Sequence, residues 1–165
     1  MLTDVFFPDT IGGAGRVAFY LGKELAEKGH SVCLLTRNPD VRYAPQQELN
    51  EMKVYRFPTP SSQSLFLVYS EIKNSYLAAR DLVRNHNFDC ICAHQCMAAI
   101  GPWVDVHIRR TPFIYVYHSP WHLEFLTKKK NHINKNSVFE RSIARMMYRL
   151  ENRMVIKASS VVVLS

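Results

Sequence analysis

Residues 2–36 read LTDVFFPDTIGGAGRVAFYLGKELAEKGHSVCLLT, and this stretch decides the fold. The apolar run 2–7 predicts a first strand. Apolar residues recur at helical spacing over residues 14–25, and Gly29 is typical of the position just after a helix. Residues 31–36 predict a second strand. Strand, helix and strand in this order indicate a parallel sheet with crossover helices.

The same alternation continues to the end of the chain. Further strands are predicted at about residues 52–57, 89–94, 112–118 and 159–165, and helices at about 65–85, 97–106 and 137–157. Residues 119–136 show no regular period and are predicted to be irregular. Six strands with right-handed crossovers predict one α/β domain over residues 1–165, with a doubly wound, Rossmann-like parallel sheet of order 3-2-1-4-5-6.

Composition and charge narrow the functional classes. The chain has 165 residues, of which 47% are hydrophobic and 21% charged, so disordered and collagen-like classes are excluded. The net charge is +7, and all of the excess lies in residues 107–165, which carry 11 basic and 3 acidic residues. Such a basic segment predicts an anionic partner, which can be nucleic acid, a membrane surface or an acidic protein face. A solvated basic face without a partner is the alternative.

The cysteines and the first residues indicate the cellular compartment of the protein. Cys33, Cys90 and Cys92 lie in apolar runs, where a free thiol behaves as a small hydrophobic group, so we expect a reducing compartment. The spacing of the cysteines around Cys96 lacks a second ligand pair, so no metal site is predicted. No secretory signal or membrane-spanning run is visible. We therefore expect a cytoplasmic protein.

A glycine cluster separates the first strand from the first helix. Backbone N–H groups of Gly12 and Gly13 at a helix N-terminus can bind a phosphate, and Arg16 can add a charge-assisted contact. The cluster also matches the G-x-G-x-x-A dinucleotide fingerprint. The second strand, however, leads into Arg37 rather than an acidic ribose ligand, which disfavours a nicotinamide cofactor. A turn chosen only for its backbone angles remains an alternative.

Two histidines end neighbouring strands. His94 ends the fourth strand, His118 ends the fifth, and Ser119 follows; parallel strands bring these ends to one edge of the sheet. An imidazole there can donate or accept a hydrogen bond with a substrate hydroxyl, although a structural role for either residue stays open. The only carboxylates predicted near this edge are Asp4 and Asp9, and no hydrolytic triad is legible.

The predicted last helix and the segment before it carry nine of the 21 basic residues. Seven of them are candidates for binding an anionic partner: Lys128, Lys129, Lys130, Arg141, Arg145, Arg149 and Arg153. The arginines recur every four residues and form one stripe. Base-reading groups are not evident on this stripe, so nucleic acid is not an expected partner. An anionic membrane surface is favoured, with Trp121, Phe125 and Leu126 as nearby apolar groups; a solvated face is the competitor.

Together these segments resemble the N-terminal domain of family 4 glycosyltransferases, which have the GT-B fold. Residues 6–17 (FFPDTIGGAGRV) are similar to the family's opening loop, and residues 21–32 (LGKELAEKGHSV) to its first helix and the turn into strand two. Residues 88–94 resemble its fourth-strand segment, and residues 158–165 the segment that ends the domain. The resemblance covers nearly the whole chain.

The resemblance implies transfer of a sugar from a sugar nucleotide to an acceptor, with retention of anomeric configuration and without a metal or other cofactor. Gly12 and Gly13 would lie against the diphosphate, and His118 would contact the transferred sugar as the catalytic residue. The acceptor would bind this domain, whereas the nucleotide pocket would belong to a C-terminal domain that follows in the full-length protein. We therefore expect the isolated chain to be inactive. A stand-alone, non-catalytic binding domain of the same fold is the alternative.

Overall fold

The computed structural model describes residues 1–38, 40, 42–59, 65–130 and 138–163, without the side chains of residues 65–68, 106, 107, 128–130 and 139. The strands are β1 (Leu2–Thr3), β2 (Cys33–Asn38), β3 (Gln46–Leu49), β4 (Met52–Pro58), β5 (Ile91–Ala93), β6 (Phe113–Tyr117) and β7 (Ser160–Val163). The helices are α1 (Gly13–Glu27), α2 (Leu65–Asn85), α3 (Cys96–Trp103), α4 (Val106–Arg110), α5 (Trp121–Lys130) and α6 (Val138–Lys157).

The strands form one sheet of order β3-β4-β2-β1-β5-β6-β7. All neighbours are parallel except β3 and β4, which pair as an antiparallel hairpin. The predicted order of the six parallel strands is confirmed, and so is the α/β, Rossmann-like class. The first strand is central, since Leu2 pairs with Leu35 on one side and with Ala93 on the other. The carboxyl ends of β1, β5 and β6 therefore meet at one edge.

The centre of the sheet is buried on both faces. Leu34 and Leu35, adjacent in β2, are 0% and 2% exposed and belong to two different apolar clusters. The Leu34 cluster includes Ala18 of α1, and the Leu35 cluster includes Ala99 of α3 and Met154 of α6. Because successive side chains of a strand point to opposite faces, helices cover both sides of the sheet.

Two glycines set how the helices end and approach each other. Gly29 has a φ of +86°, a left-handed conformation that glycine adopts without steric cost, and it follows the end of α1 as predicted. A Cβ atom at Gly101 would lie 2.2 Å from the backbone oxygen of Ile72. Helices α3 and α2 therefore pack backbone against backbone at this point.

Several predicted boundaries were wrong. The first strand covers only Leu2–Thr3 and not residues 2–7. The hairpin strand Gln46–Leu49 was not predicted, because its sequence is polar and its side chains are exposed or half-buried. The helix predicted over residues 97–106 is two helices, and the first of them ends one residue after Pro102.

The segment predicted to be irregular, residues 119–136, contains helix α5. Its first N–H group, that of Trp121, donates to Glu151 Oε2 at 3.1 Å, a contact between residues 30 positions apart. Residues 131–137 lie outside the described residues, and so do Leu164 and Ser165 at the end of the last predicted strand. Among the described residues, no helix is both long enough and apolar enough to cross a membrane.

Candidate functional site

A cleft of about 310 Å³ opens at the carboxyl edge of the central strands. It is bounded by the turn before α1, the junction of β5 with α3, and the junction of β6 with α5. Five of the six predicted catalytic and substrate-binding residues line it: Gly12, Gly13, His94, His118 and Ser119. Ligands of doubly wound sheets bind at this kind of position.

The glycine turn leaves the start of α1 open. Gly12 is the N-cap residue and makes no side-chain hydrogen bond to the helix, and a Cβ atom at Gly13 would meet nothing within 4 Å. A Cβ atom at Gly15, in contrast, would lie 3.0 Å from the backbone oxygen of Val5. Gly15 thus allows α1 to pack closely on the loop after β1, whereas Gly12 and Gly13 expose first-turn N–H groups to the cleft.

Arg16 lies outside the cleft lining. Its side chain is exposed, and its guanidinium carbon is 5.6 Å from the ring centroid of Phe7. The phosphate contact predicted for Arg16 would require its side chain to leave this ring.

A buried ion pair anchors the loop between β1 and α1. Arg56 of β4 donates to both carboxylate oxygens of Asp9, from Nε at 2.6 Å and from Nη2 at 3.0 Å. The two side chains are 1% and 3% exposed, and Arg56 Nη1 also donates to the carbonyl oxygen of Ala44 at 3.0 Å. Asp9, one of the two carboxylates noted near the edge, is therefore held in a structural pair.

Gln95 joins the loops that follow β1 and β5, a role the sequence analysis missed. Its Oε1 accepts hydrogen bonds from the Thr3 hydroxyl at 3.1 Å and from the backbone N–H groups of Asp4 at 3.0 Å and Val5 at 3.1 Å. One side-chain oxygen thus satisfies two backbone donors and a hydroxyl where β1 ends. No local sequence pattern predicts this contact, because it joins residues about 90 positions apart.

Asp4, the other carboxylate at this edge, caps α3 although it lies 94 residues before Ala98 in the sequence. Its Oδ1 accepts from the backbone N–H of Ala98 in the first turn of that helix, and Arg37 Nε donates to the Asp4 backbone oxygen at 3.0 Å. Burial raises the pKa of Asp4 to about 6, although the Arg37 charge and the Ala98 N–H act in the opposite direction. Arg37 also pairs with Glu71 at 3.0 Å.

The two strand-end histidines meet. The ring centroids of His94 and His118 are 5.6 Å apart, and His94 is 1% exposed with its Nε2 3.5 Å from Cys92 Sγ. Burial lowers the pKa of His94 to about 3, with the neighbouring His118 adding to the effect, and burial also lowers the pKa of His118. Both rings are therefore neutral at pH 7. Within the described structure, His94 Nδ1 and His118 Nε2 are buried without a hydrogen-bond partner.

Two glutamates complete the wall formed by α5 and α6. The Ser119 hydroxyl donates to Glu124 Oε1. Glu151 is buried and accepts from the Tyr115 hydroxyl at 3.0 Å and from the Trp121 N–H at 3.1 Å. Burial raises the pKa of Glu151. Neither glutamate is evident from the sequence, because Glu124 lies in the segment predicted to be irregular and Glu151 reaches the start of α5 only in the folded chain.

The predicted basic stripe lies on another surface. Arg141, Arg145 and Arg149 are exposed on α6, whereas Glu151 of the same helix is buried. Arg145 and Arg149 line an open groove of about 750 Å³ together with the exposed side chains of Met146, Tyr148 and Ile156. The side chains of Lys128, Lys129 and Lys130 lie outside the described part of the structure.

Comparison with known proteins places this geometry in a family. The model of Glycosyltransferase Family 4 matches residues 11–165, in agreement with the resemblance drawn from the sequence. Sucrose-phosphate synthase from Thermosynechococcus elongatus superposes with a TM-score of 0.71 at 15% identity, covering 99% of this chain and 38% of that one. The present chain therefore corresponds to part of that protein, and the likeness concerns the fold. Compared with curated protein sequences, the chain has no significant match.

Proposed function

Since this chain belongs to Glycosyltransferase Family 4, we propose that it is the N-terminal, acceptor-side domain of a retaining enzyme that transfers a sugar from a sugar nucleotide to an acceptor. The observation that carries the proposal is the cleft itself. The open N-terminus of α1 and two neutral histidines face one space at the switch point of a doubly wound sheet.

In this proposal the turn before α1 binds the donor diphosphate. First-turn N–H groups that no side chain caps carry partial positive charge, and the missing side chains at Gly12 and Gly13 let a phosphate approach the backbone. Gly15 cannot substitute for them, because its Cβ direction is filled by the loop after β1.

His118 is the proposed catalytic residue, and it contacts the transferred sugar. A neutral imidazole can both donate to and accept from sugar hydroxyls, and its buried Nε2 has no partner among the described residues. His94 lies beside it in the same lining. Stabilising charge on a departing diphosphate requires donors on all its sides, so a second, nucleotide-binding domain completes the site in the proposal.

Introducing a negative charge at Gly13 tests the diphosphate site. Gly13→Glu and Gly13→Gln have side chains of the same size, and a Cβ atom at this position would meet nothing within 4 Å. Amide shifts in ¹⁵N-labelled protein are measured during titration with UDP-, GDP- and ADP-sugars. One of these donors should shift Gly12 and Gly13 in the native chain, and Gly13→Glu should weaken its binding by at least about tenfold relative to Gly13→Gln. Binding by Gly13→Glu as tight as that by the native chain would contradict the proposed phosphate contact.

The proposal also predicts that the 165-residue chain alone does not transfer sugar to an acceptor. Incubated with the donor that shifts Gly12 and an acceptor panel, it should release no glycoside above the level of a His118→Ala control. Sustained transfer by the native chain alone would show that one wall suffices for catalysis and would overturn the two-domain proposal.

We further propose that the outer face of α6 docks on an anionic membrane, which would place the protein at the cytoplasmic surface. Arginines beside exposed apolar side chains are the composition expected of such a face. Each basic residue near an anionic surface contributes about 1 kcal/mol, so Arg145→Gln/Arg149→Gln should reduce vesicle binding about thirtyfold at low salt. The matched control is Lys28→Gln/Lys53→Gln, which removes two exposed charges elsewhere. Equal binding to anionic and neutral vesicles would rule the membrane out.

A further inference from the structure

The charge of the cleft is opposite to that of the chain as a whole. Among the described residues that line it, three carry carboxyl groups, namely Asp4, Glu124 and Glu151, and none is a lysine or an arginine. Arg37 donates to the Asp4 backbone oxygen from outside this lining, and its guanidinium pairs with Glu71. Positive charge is thus kept on the outer face of α6, and negative charge lines the cleft.

The three carboxyl groups differ in how much bonding capacity they have left. Both oxygens of Glu151 are occupied, by the Tyr115 hydroxyl and the Trp121 N–H, and an oxygen of Asp4 accepts from the first turn of α3. Glu124 is exposed in the first turn of α5, and its one hydrogen bond within the described structure comes from Ser119. Because Glu124 is exposed, its second oxygen is available to a ligand, whereas Glu151 is buried and Asp4 is held against the N-terminus of α3.

A second feature of the same wall indicates a ligand that carries hydroxyl groups. His94 is 1% exposed and lines the cleft, and its Nδ1 has no partner in the described part of the chain. Trp121, which is half-buried, supplies an aromatic side chain to the same lining. A carboxylate accepts hydroxyl hydrogen bonds, an imidazole donates or accepts them, and an aromatic face packs on the C–H groups of a sugar ring.

We propose that the acceptor group received by this wall is a neutral, hydroxyl-rich one, a sugar or polyol, and that Glu124 with Ser119 selects it against its phosphorylated or carboxylated counterpart. The inference rests on the proposed function and specifies its acceptor. A phosphate placed beside Glu124, on the wall formed by α5 and α6 rather than at the turn before α1, would meet the like charge of the exposed Glu124 carboxylate, and no described lysine or arginine in the lining would offset it.

Paired probes test this selection. Glucose and mannose, each with its 6-phosphate, are titrated into the ¹⁵N-labelled chain at low and high salt, and the shifts of the Ser119 and Glu124 amides are followed. We expect each neutral sugar to bind about fivefold to tenfold more tightly than its phosphate at low salt, with a smaller ratio at high salt. Glu124→Gln should reduce the ratio at low salt to about twofold. The control Glu48→Gln, which removes one charge from the distant strand β3, should leave it unchanged.

Tighter binding of the phosphates, or no shift of these amides with any probe, would overturn the proposal. The proposed function fails separately, since its test is the response of the Gly12 and Gly13 amides to sugar nucleotides. A chain that responds to sugar nucleotides but prefers the phosphates is a glycosyltransferase domain with an anionic acceptor.

Discussion

Replacing Asp9 by asparagine tests whether the ion pair under the glycine loop holds the loop in place. Asp9→Asn keeps the shape of the side chain but leaves the Arg56 guanidinium charged and almost fully buried, since the two side chains are 3% and 1% exposed. Breaking a buried pair by removing one partner costs about 3–5 kcal/mol, a large part of the 5–15 kcal/mol that stabilises an ordinary domain. For a domain of this size the loss corresponds to a decrease in Tm of about 6–20 °C.

The assay is urea unfolding at pH 7, followed by far-ultraviolet circular dichroism. The control is Asp40→Asn, which breaks the pair with Arg42, whose side chain is 84% exposed; its effect should lie within the error of the measurement. The double variant Asp9→Leu/Arg56→Met should cost less than Asp9→Asn alone, because it leaves no unpaired charge, although the carbonyl oxygen of Ala44 loses a donor. A loss below about 1 kcal/mol for Asp9→Asn, or a double variant as unstable as the single one, would refute this reasoning.

Three further predictions concern Gly101, Gly29 and His94. Gly101→Ala should lower the free energy of unfolding in urea by at least about 3 kcal/mol, because its Cβ would meet the Ile72 backbone oxygen. The control Gly13→Ala should change it by less than about 0.5 kcal/mol. Similar losses for both variants would contradict the close packing of α3 on α2. Gly29→Ala should lower the free energy of unfolding by about 1–2 kcal/mol, because residue 29 has a positive φ, and Gly29→Asn should lower it by less. Equal Tm values for the native protein and both variants would disprove this prediction. His94 has its pKa lowered to about 3 in the folded protein, so the unfolded chain binds the proton first and stability falls as the pH decreases below about 6.5, by up to about 1.4 kcal/mol per pH unit. His94→Gln should flatten this dependence between pH 7 and pH 4, and an unchanged slope would exclude His94 as its source.

The sequence was sufficient for the strand order because the order depends on features that are local. Apolar runs, helical spacing and the glycine after α1 each span a few residues, and the handedness of crossovers then leaves few ways to arrange six parallel strands. The same holds for the edge at which His94 and His118 meet, since a strand order fixes which strand ends are neighbours. The glycine turn was found for the same reason.

The rest depends on contacts between distant parts of the chain. Helix α5 lacks a clear apolar period and begins where Glu151, 30 residues later, accepts its first N–H. The N-terminus of α3 is capped by Asp4, which is 94 residues away from Ala98. Strand β3 is a polar edge strand, and its partner β4 specifies it through main-chain hydrogen bonds rather than through side-chain pattern. Pattern in one stretch of sequence cannot report a partner in another.

The bonds that Gln95 makes to the end of β1 bear on how tightly the cleft can bind. When a loop becomes ordered only on ligand binding, the conformational entropy that it loses weakens the affinity. Here the chain from Thr3 to Val5 is joined to the start of α3 through one side-chain oxygen. The backbone on both sides of the cleft is thus preorganised during folding, and a ligand loses less affinity to loop ordering. Removing the Gln95 amide would therefore weaken ligand binding through the backbone that Gln95 holds, besides any direct contact it makes.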